Sequence, residues 1–83
     1  MPQRAIAEAL AVWREAERLL EQLPEDHPER SVIQFEVVRA RAVYRRLTEA
    51  ESVSRGLVDE SLSTMQEAWK TLNNARQRLG ESG

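Results

Sequence analysis

Ile6, Leu10, Trp13, Ala16, Leu20 and Leu23 follow one another at intervals of 4, 3, 3, 4 and 3 residues. That spacing is the apolar stripe of an amphipathic helix. A second stripe, Ile33, Val37, Ala40, Tyr44 and Leu47, and a third, Val58, Leu62, Met65, Trp69 and Leu72, repeat the rhythm. Ala75 and Leu79 extend the third, and Gly80 is placed to cap it. The pattern predicts one helical domain over residues 1–83, with helices at about 3–23, 27–48 and 54–79. The expected fold is all-α, a small up-down-up three-helix bundle. Trp13 and Trp69, each in mid-stripe, are expected to be largely buried.

Residues 48–57, TEAESVSRGL, admit a second architecture. The heptad register of Ile33 and Val37 runs without slip into Val58, Met65, Leu72 and Leu79, with Glu51 and Ser54 at the seam between them. One long helix with the first helix folded against half of it, dimerised along the open seam, is therefore the alternative. Gly56, the serines and two polar seam residues favour a turn.

The stretch LPEDHPERSVIQ, residues 23–34, holds the only histidine. Pro24 disfavours helix at Leu23 and so ends the first segment. Asp26 with Glu29, or Ser31 with Gln34, fits a capping box for the second helix, and Pro28 suits its first turn. Zinc takes His and Cys ligands at fixed spacings, and one histidine among loop carboxylates falls short of that. Acid–base work by His27 lacks a partner nucleophile in the sequence. His27 is expected to be a corner residue whose loss costs less than about 0.5 kcal/mol. The acidic side chains Asp59, Glu60 and Glu67 lack the Glu-x-x-His companions of a di-metal bundle. No catalytic residue, cofactor or metal site is expected, and the chain is not expected to be an enzyme.

Composition adds three points. The chain has no cysteine, which fits a reducing compartment, and no apolar run long enough for a membrane span. The N-terminal segment does not read as a secretory signal, so a cytoplasmic protein is expected. Eleven of the twelve basic residues are arginine, a hint of a GC-rich bacterial genome.

The net charge of −2 is unevenly distributed. Residues 1–29 carry three arginines and seven carboxylates, net −4, and residues 30–47 carry five arginines and Glu36 alone, net +4. Arg39, Arg41, Arg45 and Arg46, with Tyr44 among them, are candidate nucleic-acid contacts. At 100° per residue they divide between two flanks of the helix, so they make a weak phosphate-reading stripe.

Val32, Phe35, Val38 and Ala42 form a surplus apolar stripe on the second helix, roughly opposite its seam. The middle helix of three can use a wide apolar face, but Gln34, Glu36 and the arginines are scattered between these residues and leave no single solvent strip. The stripe is therefore the candidate interface. The expected function is a non-enzymatic protein–protein interaction module, a homo-oligomer or a small subunit of a complex. A nucleic-acid-associated helical protein is the alternative, and no membrane partner is expected.

The two tryptophans, with WKTLNNARQRL after the second, loosely resemble the three-helix repeats of the spectrin family. AVWREAERLLEQLPEDHPE is similar in a general way to a tetratricopeptide hairpin. Both resemblances imply only packed helices, and no residue role is carried over from either.

Overall fold

The computed structural model describes residues 3–82, and the side chains of residues 3–80. Three helices follow in order: α1 (Gln3–Glu21), α2 (Glu29–Glu49) and α3 (Arg55–Ser82). All three pack against one another, with α1 and α2 the most extensive pair. The directions follow from paired side chains. Glu8 meets Trp69 and Glu15 meets Arg76, so α1 and α3 run parallel. Trp13 meets Tyr44 while Arg30 meets the end of α1, so α1 and α2 run antiparallel. The result is an up-down-up bundle, elongated at 44 × 18 × 14 Å.

The long-helix alternative fails at residues 50–54. Ala50 turns to φ −70°, ψ 137°, which ends α2. Ser54 then caps α3, its Oγ accepting the Leu57 N–H at 3.1 Å and its carbonyl accepting the Val58 N–H. A serine oxygen offered to the third N–H of a helix satisfies one of its four orphan donors. Gly80 does not cap α3. The helix continues through Ser82, and none of the described glycines adopts a positive φ.

The corner before α2 is built differently from either capping box. The residue before the helix is Pro28, at φ −59° and ψ −32°, and it makes no side-chain cap. His27 takes that role instead, its Nδ1 accepting the Glu29 backbone N–H at 3.1 Å. Its own backbone N–H donates to the Pro24 carbonyl, and its carbonyl accepts from Arg30. Arg30 closes the corner by donating to the Leu20 carbonyl at 3.1 Å and the Leu23 carbonyl at 3.4 Å. The Leu20 carbonyl already accepts the Leu23 N–H, so Arg30 adds a charged donor there and supplies one to the Leu23 carbonyl, a cation placed at the negative end of the α1 dipole.

The core is lined with small residues. On α1 the fully buried positions are Ala5, Ala9, Val12 and Ala16, with Leu19 nearly so. They lie one residue before most of the large residues of the expected stripe. Ile6, Leu10, Trp13 and Leu20 are only half-buried and stand on the flank of that seam. Ala40 on α2 and Ala68 and Ala75 on α3 are likewise fully buried. Small side chains at the centre let helix axes come close, and the larger ones then fill the grooves on either side. Ile33, Val12, Met65 and Leu72 supply the largest fully buried side chains.

Both tryptophans are half-buried instead of enclosed, because they occupy such flanks. Trp13 packs edge-on to Tyr44 with ring centroids 5.8 Å apart, an orientation that aromatic quadrupoles favour.

Candidate functional site

α2 presents two unlike faces. Its inner face carries Ile33, Val37, Ala40 and Leu47, as the spacing requires, with Val43 and Tyr44 at the margin. One further residue is buried there. Glu36 is 2% exposed, one turn from Ile33 and Ala40, so it belongs to the core and not to the scattered surface charges with which its residue type groups it.

A carboxylate taken out of water needs a partner. Arg39, one turn on, supplies it through two parallel hydrogen bonds of 2.8 Å, Nε to Oε1 and Nη2 to Oε2. This is the strong bidentate geometry that guanidinium and carboxylate share. Held there, the Arg39 guanidinium carbon lies 5.2 Å from the centre of the Phe35 ring, within cation–π range. The chain of contacts therefore runs from the core to the surface: buried Glu36 fixes Arg39, and Arg39 braces Phe35.

Phe35 is 58% exposed, Val38 52% and Val32 38%, the large hydrophobic residues that stand out to solvent among the described residues. Ala42 is exposed on the same side. The structure thus gathers the four candidate interface residues on one outward face of α2, away from the core.

The four arginines do not form one patch. Arg39 is committed to Glu36, and Arg45 pairs with Glu49 at 3.6 Å. Arg41 and Arg46 are exposed, in no ion pair among the described residues, and five positions apart on the helix, which separates them by about 140°.

Other polar groups tie the bundle together. Arg78 on α3 donates to both oxygens of Glu29 at the start of α2, at 2.6 and 2.8 Å. That pair holds the Glu29 carboxyl below its ordinary value, chiefly through the hydrogen bond, against a smaller opposing effect of burial. Among the described residues no three His, Cys, Asp or Glu side chains converge as a metal would need, and no helix is long and apolar enough to cross a membrane.

Three of these placements are not legible in the periodicity: His27 as a cap, Arg30 on the Leu20 and Leu23 carbonyls, and Glu36 in the core. The Glu36–Arg39 pair had a signal, since opposite charges three apart on a helix are neighbours. Comparison with protein-family models, with curated proteins and with solved structures gives no match for this chain.

Proposed function

We propose that this protein is a non-enzymatic interaction module whose binding surface is the outer face of α2, centred on Phe35. The observation that carries the proposal is the bracing of an exposed aromatic ring by a buried charge. Leaving Phe35, Val38 and Val32 in water is unfavourable at roughly 25 cal/mol per Å² of apolar surface, and contiguous exposed apolar groups of this kind mark contact sites. Arg and aromatic side chains are also the types that concentrate binding energy in interfaces. With Arg39 fixed in advance on Glu36, less side-chain freedom is lost on binding. Absence of cysteine is in keeping with a reducing compartment such as the cytoplasm.

The test is Phe35→Asp, followed by circular dichroism and thermal melting. A face kept for binding predicts a variant that stays helical and melts within a few degrees of the parent. Unfolding at every concentration would return Phe35 to the folding core, and the proposal would fall.

A further inference from the structure

Resting on that reading of the α2 face, we infer that its occupant is a second copy of this chain, lying antiparallel across a two-fold axis near the middle of α2. The reason is the arrangement of charge around the apolar stripe. Val32, Phe35, Val38 and Ala42 are centred near residue 37. Toward the C-terminal end of α2 stand Arg41, Arg45 and Arg46, with Glu49 paired to Arg45 and Glu51 just beyond the helix. At the other end the corner offers Glu25 and Asp26, while Glu29 is held by Arg78 and Arg30 is turned inward onto the Leu20 and Leu23 carbonyls. Glu25, Asp26, Arg41 and Arg46 are all exposed and in no ion pair among the described residues.

A two-fold axis matches residue i of one copy with residue j of the other and j with i. With the axis near residue 37, Arg46 stands level with the opening of the partner's α2, beside the acidic corner of Glu25 and Asp26, twice per dimer. Arg45 joins it where it leaves its exposed pairing with Glu49. Val32 then lies across from the partner copy's Ala42, and Phe35 across from its Arg39. A parallel pair would instead set basic end against basic end. The face is thus self-complementary in one orientation only. One helix face about 20 Å long falls short of the roughly 1,000 Å² that a stable interface buries, so the dimer is weak and forms in proportion to concentration.

The chain has no cysteine, so introduced thiols report cleanly. Light scattering on the full chain from about 10 µM to about 1 mM, at low and high sodium chloride, should show the mass rising from monomer toward dimer. High salt should shift the midpoint upward several-fold. Val32→Cys and Ala42→Cys, oxidised separately, should cross-link poorly, and mixed they should cross-link to each other. Efficient cross-linking of each alone, with no gain on mixing, would make the pair parallel and overturn the inference. So would a monomer mass at every concentration, or a dimer that survives Phe35→Asp. Since the melting of Phe35→Asp judges the α2 face independently, a monomeric parent with a folded Phe35→Asp variant rejects the second copy alone.

Discussion

Trp69 donates its indole N–H to Glu8 at 3.0 Å, which ties α3 to α1, whereas the indole N–H of Trp13 is buried with no acceptor. The two tryptophans therefore differ in chemistry while both occupy seam flanks. One heptad beyond Glu8, Glu15 meets Arg76 at 3.5 Å, so the α1–α3 contact repeats with the helix period. A buried donor without a partner costs about 1–3 kcal/mol, and Phe removes it. Trp13→Phe should accordingly change stability by less than about 1 kcal/mol, the relief offsetting lost ring area. Trp69→Phe should cost more, since it breaks a bond to a carboxylate. Urea denaturation of the two variants ranks them directly.

Glu36 and Arg39 should respond asymmetrically. Arg39→Ala leaves a carboxylate in the core without a partner, and breaking a buried pair this way costs about 3–5 kcal/mol. Glu36→Met replaces the charge by an apolar chain of similar length and frees Arg39, already 26% exposed, to find water. Such replacements are often neutral or stabilising. Equal losses in the two variants, measured by chemical denaturation, would refute the account of this pair. Glu36→Met should also weaken association while the fold persists, because Phe35 loses its brace.

His27→Ala is expected to cost about 1 kcal/mol, in the range of a lost helix cap. That exceeds the value suggested by the sequence, because the Glu29 N–H loses its acceptor. Asn at position 27, which can also accept from that N–H, should recover part of the loss. Thermal melts of the two variants decide it.

Glu29 gives the fold an acid-sensitive contact. Its carboxyl is depressed below the ordinary value of 4.5, first by the Arg78 hydrogen bond. A depressed carboxyl stabilises the folded state above the unfolded value, and that contribution disappears as pH falls through the folded value. Stability of the parent should therefore fall as pH drops below 4.5. Arg78→Gln should flatten this part of the curve, as denaturation across about pH 3–6 would reveal.

Ala9 and Ala16 should tolerate no enlargement. Both are fully buried where α1 approaches its neighbours. Ala16→Leu adds methylenes to a filled seam and should cost about 1–3 kcal/mol, or more if the helices are forced apart. A more stable Ala16→Leu variant would mean that the seam holds a void.

The sequence by itself determined the number and kind of elements. Three stripes of period 3.6, broken by Pro24 and by the polar segment 48–57, admit little besides three helices, and the α2 seam from Ile33 to Leu47 lies where its spacing puts it. It also set the outward stripe, since Phe35 and Ala42 lie roughly opposite the seam at 100° per residue and Val32 and Val38 flank them about 100–140° from it. Only the tertiary structure decided which side of α1 points inward. Ala5, Ala9 and Val12 outrank Ile6, Leu10 and Trp13 at the centre because close helix approach rewards small volume, a preference that hydrophobicity along one helix does not contain. It alone decided, too, that Glu36 is buried, that His27 caps α2 and that Arg30 closes α1. Each of these depends on where a neighbouring element places an uncompensated polar group, and the period of a single chain segment carries no record of its neighbours.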